Sequence, residues 1–240
     1  MEVELFREDA YLAACAARVE AVLQDGGVVL DRTVFYARGG GQPGDRGRLL
    51  LPDGAVLSVA DTRRDGESGR VLHVPGPEAP VPAVGAAVGA EIDWPRRHRL
   101  MRMHSCLHLL CRAVDAPVTG GQIDDGKGRL DFDAGKTVIE AEAVVERLAA
   151  WIAEDRPIHA SWIDEAELEA RPELVRTLSV RPPRGQGRVR LVEIDGVDLQ
   201  ACGGTHVRRT GEIGRVTVGK IESKGRRNRR VTLLLGDAAG

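Results

Sequence analysis

WPRRHRLMRMHSCLHLLCRAV, residues 94–114, is the stretch on which the architecture of this chain turns. From Arg96 to Val114 neither proline nor glycine interrupts it, and Leu100, Met103, Leu107, Leu110 and Cys111 recur at spacings of three and four. That period belongs to one face of an α-helix, and Pro95 suits its first turn, where a missing N–H leaves no bond unmade. The same helix carries His104 and His108 four residues apart. Both imidazoles therefore stand on one face and can converge on a single ion. No glutamate follows His104, so this is not the His-Glu-x-x-His pattern with its built-in base.

Upstream, residues 26–92 read as short apolar runs between turn signals: Gly26-Gly27 before 28–30, Pro52-Asp53-Gly54 before 55–59, Asp65-Gly66 before 71–74. These predict a β-rich small barrel. Residues 15–23 are alanine-rich, but the turn at Asp25-Gly26-Gly27 and the apolar run behind it favour a hairpin strand over a helix. The Pro-, Ala- and Gly-rich run 75–90, followed by Trp94-Pro95, places a boundary near 92 and divides the chain into 1–92 and 93–240. Downstream, 139–154 is a second helix with Ala141, Val144, Val145, Leu148, Ala149 and Ile152 on one side, and 189–194, 215–221 and 229–235 are strands. Helices set apart from strand runs, without βαβ alternation, make the second domain and the chain α+β.

The chain has 240 residues, 42% of them hydrophobic and 29% charged, the balance of a folded globular protein. Aromatic residues are 3%, so nucleic-acid contact would lean on charge and shape rather than on stacked bases. Residues 1–93 carry 9 basic against 15 acidic side chains and 94–240 carry 25 against 21, so the second half is the polyanion-binding candidate. Cysteines at 15, 106, 111 and 202 lack regular spacing, and the N-terminus lacks the layout of a signal peptide. A reduced, cytoplasmic protein is expected, with no apolar run of membrane-spanning length.

Far from the helix, Cys202-Gly203-Gly204-Thr205-His206 supplies a thiolate and an imidazole across a glycine turn that lets both bend toward one point. Either pair alone is compatible with coincidence. Together His104, His108, Cys202 and His206 make a donor set suited to one tetrahedral Zn2+ per chain. Four protein ligands close the shell of a structural zinc, whereas catalysis needs a displaceable position. Cys15, Cys106 and Cys111 read as core. Gly39-Gly40-Gly41-Gln42 lacks the Gly-Lys-Ser/Thr ending of a phosphate loop and the dinucleotide fingerprint, so no nucleotide cofactor is expected. Lys220, Lys224, Arg226, Arg227, Arg229 and Arg230 crowd one basic turn, either a solvated hairpin or a phosphate-contacting one. Arg181, Arg184, Arg188 and Arg190 read as a flexible surface cluster.

Six motifs in order, LDRTVFY (30–36), GGGQPGD (39–45), MRMHS through HLL (101–110), GRLDF (128–132), CGGTHV (202–207) and KGRRNRR (224–230), resemble the AlaX-type proteins related to the editing domain of alanyl-tRNA synthetase. The resemblance implies a translation-type β-barrel followed by an α/β sandwich with a mainly antiparallel sheet. It implies a zinc-bearing editing domain that hydrolyses the ester joining serine or glycine to the acceptor end of alanine tRNA, acting in trans. Related synthetase domains often carry Thr where Ser105 stands, which keeps the hydroxyl.

On that reading Ser105 and Thr119 are the hydroxyls that tell serine from alanine, Thr119 lying in the loop beyond the first helix. Gly39, Gly40, Gly41 and Gln42 approach the active site or the acceptor end, and the amides of Gly203 and Gly204 stabilise the carbonyl oxygen. Asp133 and Asp198 orient the ligand imidazoles. Two other readings remain open: a zinc-stabilised RNA-binding module without catalysis, and a metallohydrolase of another ester.

Overall fold

The computed structural model describes residues 2–114, 116–135, 137–175 and 187–236. It divides into two compact units, Met1–His98 and Arg99–Gly240. The expected boundary near 92 falls at the end of a strand, six residues ahead of this division.

The first unit is built from short strands: β1 (Val3–Glu4), β2 (Ala14–Val22), β3 (Val28–Leu30), β4 (Arg32–Thr33), β5 (Gly47–Leu50), β6 (Val56–Arg64), β7 (Val71–Pro75) and β8 (Ala87–Ile92). Six of them close a barrel in the order β2-β3-β7-β6-β5-β8, every neighbouring pair antiparallel. β1 pairs parallel with β4. The alanine-rich stretch is a strand because its residues alternate: Ala17 and Val19 point inward while their neighbours face solvent. Leu57 and Val59 alternate likewise along β6 and join Val28, Leu30, Phe35 and Leu49 in the barrel core. Each fully buried aliphatic side chain there contributes about 1.5–3 kcal/mol. The run 75–90 is not all connector, since β8 begins inside it and completes the barrel.

Residues 39–42 make the tight turn that three glycines permit. Gly40 and Gly41 have φ of +57° and +83°, and Gly39 and Gln42 exchange backbone hydrogen bonds of 3.1 and 2.9 Å. At the end of this loop Asp45 forms a buried ion pair with Arg97, whose guanidinium also donates to the carbonyl oxygens of Val34 and Ala10.

Helix α1 (Trp94–Ala113) opens on Asp93, whose carboxylate accepts the Arg96 amide at 3.1 Å and caps the first turn just ahead of Pro95. The division between the units falls inside α1. From Leu100 to Cys111 every residue is buried, so the expected single apolar stripe widens to the whole circumference, as in a helix at the centre of a core.

In the second unit, α1 is followed by β9 (Val118–Asp124), β10 (Lys127–Asp133), α2 (Ala141–Ala153), β11 (Ile158–Asp164), α3 (Glu165–Ala170), β12 (Arg188–Ile194), β13 (Asp198–Ala201), β14 (Val216–Ser223) and β15 (Asn228–Leu235). They form two antiparallel sheets, β14-β15-β10-β9 and β11-β12-β13. Gly128 on β10 lets α1 close on the first sheet, because a Cβ there would lie 2.6 Å from the Met103 sulfur. The second sheet has two working faces. Val189 and Leu191 pack with Leu168 and Leu174 on one side, and the alternate residues Arg190, Val192 and Ile194 are buried on the other. The fold is thus α+β, an N-terminal barrel and a C-terminal unit of antiparallel sheets and helices. Among the described residues no helix is long and apolar enough to cross a membrane.

Candidate metal centre

Helical geometry sets His104 and His108 side by side on α1, their ring centroids 5.3 Å apart. The second pair comes from the end of the β12–β13 ladder. β13 pairs from Ile194↔Asp198 to Leu191↔Ala201, and the next amide, Cys202 N–H, donates to the Arg190 carbonyl at 3.0 Å. The chain then turns through Gly203 and Gly204 and brings His206 back over α1, 4.2 Å from the His104 ring and 4.5 Å from the His108 ring.

Cys202 Sγ lies 3.5 Å from His104 Nε2 and 3.3 Å from His206 Nε2, and the four candidate ligand atoms lie within 4.8 Å of one another. A tetrahedral ion with metal–nitrogen and metal–sulfur bonds near 2.1 and 2.3 Å holds its ligand atoms about 3.3–3.7 Å apart. The two sulfur distances already match that spacing. His104, His108, Cys202 and His206 form a metal-binding group.

The electrostatics of the group favour a thiolate at Cys202 and a neutral imidazole at His206, with the balancing proton on His108. Burial alone would raise the Cys202 thiol, but the imidazoles of His104, His206 and His108 hold it well below its ordinary value. Burial, reinforced by His104, pushes His206 well below the ordinary imidazole range, so it is neutral. For His108 burial opposes the charge, yet Cys202 and Asp198 carry its pKa up to about 9. A metal held by these four residues would take the place of that proton opposite the thiolate.

Around these four stand residues that hold them. Asp198 Oδ2 is 3.4 Å from His108 Nδ1 and accepts 2.7 Å from Gln200 Nε2. Ser105 is fully buried, its Oγ 3.1 Å from His206 Nδ1 and accepting the Val207 amide at 3.2 Å. Ser105 thus braces an imidazole and the backbone beside it. The Gly204 amide donates to Cys202 Sγ at 3.4 Å. Gly203 meets nothing within 4 Å where a Cβ would sit. Arg190, read from sequence as surface, is 8% exposed and donates through Nη1 to Cys202 O at 3.1 Å and Gly204 O at 2.9 Å. Its signal in the sequence was the alternation of β12, which puts it on the face of Val192 and Ile194. Arg188 on the same strand is exposed, and Arg181 and Arg184 lie outside the described residues.

The remaining expectations divide. Cys106 and Cys111 are buried, and Cys15 is half-buried against the barrel core. Thr119 lies in β9, not in a loop, at the register shift opposite Asp131 and Phe132. Its Oγ1 donates to Asp131 O at 3.1 Å and lies 3.4 Å from Asn228 Oδ1, a neighbour the sequence reading missed. Asp133 pairs with Arg227 at 2.9 Å rather than with an imidazole. Gly39, Gly40 and Gly41 are exposed in the first unit, but Gln42 is buried at 2% exposure. The basic residues do bracket a hairpin, with Gly225 at φ +110° between β14 and β15. They are not all loose charges: Arg230 grips Asp131 with two bonds of 2.6 and 2.9 Å, and Lys220 and Lys224 share Glu222.

Residues 189–232 match the threonyl and alanyl tRNA synthetase second additional domain, and residues 5–96 match the class II (A) tRNA synthetases. The fold and the site define a synthetase-related protein with a His/Cys metal group. The chain is 36% identical over 249 residues to the alanyl-tRNA editing protein AlaX-M of Methanosarcina mazei, covering 100% of this chain and 98% of that protein. It is 33% identical over 237 residues to AlaX-M of Saccharolobus solfataricus, covering 96% and 98%. Against the alanine–tRNA ligase of Pyrobaculum calidifontis the identity is 39% over 232 residues, 91% of this chain but 25% of the ligase. The chain belongs to the AlaX-M family of alanyl-tRNA editing proteins.

Proposed function

We propose that this protein is a cytoplasmic, zinc-dependent deacylase that acts in trans, cleaving the ester between serine or glycine and the acceptor end of alanine tRNA. The observation that carries this reading is the cluster of three imidazoles and one thiolate in a chain related end to end to proteins named for alanyl-tRNA editing. Imidazole and thiolate donors favour zinc over magnesium or calcium, which take oxygen ligands.

Zinc bound in such a set supplies Lewis acidity toward the ester carbonyl or a water. The protein's own groups do the rest. Ser105 braces the ring of His206 at Nδ1, and the Asp198 carboxylate faces His108 Nδ1 at 3.4 Å. The Gly203 amide is the donor left for charge developing on the carbonyl oxygen, since the Gly204 amide is directed to sulfur. Thr119, with its proton given to Asp131 O, keeps lone pairs to accept the seryl hydroxyl. Alanine offers no such proton, and its smaller size means that exclusion by volume cannot protect it. Lys224, Arg226, Arg227 and Arg229 near the β14–β15 turn contact phosphates. The weak surface ion pairs of Lys224 and Arg227 exchange readily for phosphate, whereas Arg230 is held by Asp131. The glycine loop at residues 39–41 offers exposed backbone for contact with tRNA.

The test is metal removal. Stripping the metal with a chelator abolishes hydrolysis of serine-charged alanine tRNA, and one equivalent of zinc, not magnesium, restores it. Full activity in metal-free protein overturns the reading.

A further inference from the structure

The turn that carries Cys202 and His206 contains two consecutive glycines, the residue type that loses most conformational freedom on ordering. Left to itself such a turn samples many shapes, and a metal site assembled on it would lose affinity to the cost of ordering. In the structure one side chain spans it. Arg190 sits on β12, directly before the paired segment, with its backbone carbonyl accepting the Cys202 amide at 3.0 Å. Its side chain returns over the turn, and Nη1 donates to the Cys202 and Gly204 carbonyls at 3.1 and 2.9 Å. One residue thus grips Cys202 on both sides of its peptide and Gly204 beyond it.

We propose that Arg190 is a positioning residue for the metal group: it pre-forms the Cys202–His206 turn so that the thiolate and imidazole stand at coordination distance before the ion arrives. A buried guanidinium on these carbonyls has a further effect. The Cys202 carbonyl and the Gly203 amide belong to one peptide unit, and a charged donor on the oxygen polarises that unit and strengthens its N–H as a donor. Arg190 therefore supports both the ligand geometry and the Gly203 amide assigned to the carbonyl oxygen. Lysine is not equivalent here, because the planar guanidinium fixes the directions of the two Nη1 hydrogens that meet the two carbonyls, whereas an ammonium rotates.

This inference rests on the metal reading above, but its test is independent of tRNA. Arg190→Met and Arg190→Lys are compared with wild type and with Arg147→Met, which removes another guanidinium-to-carbonyl bond, to Ala113 O, away from the turn. Competition with a chromophoric chelator reads zinc affinity, and the cobalt-substituted protein reads ligand geometry through its visible absorption. Arg190→Met weakens zinc binding about 10–100-fold and alters the cobalt spectrum. Arg190→Lys recovers part of both, and Arg147→Met keeps wild-type affinity and spectrum. On serine-charged tRNA at saturating zinc, Arg190→Met lowers kcat with KM little changed. If both Arg190 variants bind zinc with wild-type affinity and give the wild-type cobalt spectrum, or if Arg147→Met weakens zinc equally, the proposal is overturned, whatever their activity.

Discussion

Ser105 Oγ lies 3.1 Å from Nδ1 of His206 while accepting the amide of Val207, so one hydroxyl on α1 ties down both the imidazole and the backbone beside it. Nε2 is turned toward Cys202, so a metal held there would leave the ring's proton on Nδ1, facing the Ser105 hydroxyl. Replacing Ser105 with alanine removes the acceptor and frees the ring. Zinc affinity falls about tenfold or more, while the ratio of kcat/KM for serine- and alanine-charged tRNA stays at the wild-type value. A collapsed ratio with unchanged zinc affinity would restore Ser105 to the substrate.

Thr119 is the hydroxyl expected to govern that ratio. Thr119→Val keeps the shape of the β9 bulge residue but deletes the acceptor. The kcat/KM for serine falls about tenfold, the scale of one neutral hydrogen bond, with alanine unaffected and zinc content intact. Equal losses for both substrates would move selection elsewhere.

At the β14–β15 hairpin the ion pairs separate two roles. Lys224→Ala and Arg226→Ala each flatten the salt dependence of tRNA binding by about one unit of slope. Arg230→Ala instead leaves Asp131 without its two-pronged partner and costs stability with little change in slope. Binding measured between 50 and 200 mM salt, near the range where released counterions dominate, distinguishes them; a slope change confined to Arg230→Ala reverses the assignment.

The barrel contains its own pH sensor of stability. His73 is fully buried, with Nδ1 2.9 Å from Val28 O and Nε2 2.8 Å from Thr33 Oγ1, and burial holds its pKa down to about 4 from 6.5. The folded barrel resists a proton that the unfolded chain accepts. Its stabilising effect is therefore complete above pH 6.5 and is lost as pH falls toward 4, a total of roughly 3 kcal/mol. Denaturant unfolding of wild type against His73→Gln at pH 7, 5.5 and 4.5 isolates this from protonation of the metal ligands. Parallel pH curves for the two proteins would contradict it.

How much could be read beforehand depended on where burial originates. α1 was legible because nothing in residues 96–114 breaks a helix, and β2 because the turn at Asp25-Gly26 outweighed alanine's helical propensity. β11 was missed although Ile158, Ala160 and Trp162 alternate with His159 and Ser161, and as an edge strand it is mostly exposed along its length. β8 was hidden in a run of small residues whose inward side only the closed barrel defines. At the site, the four ligands announce themselves by residue type and spacing. Ser105 and Arg190 do not: a serine on a helix and an arginine in a strand acquire meaning only when the turn from Cys202 to His206 folds back over α1. The pairing of Asp131 with Arg230 likewise depends on β10 lying beside β15.

The most direct test of the whole account is deacylation of serine-, glycine- and alanine-charged alanine tRNA side by side by the zinc-loaded protein. The account predicts rapid loss of serine and alanine spared by at least the roughly tenfold that one neutral hydrogen bond to the seryl hydroxyl supplies. Alanine removed as fast as serine, or no hydrolysis of any of the three, would contradict it.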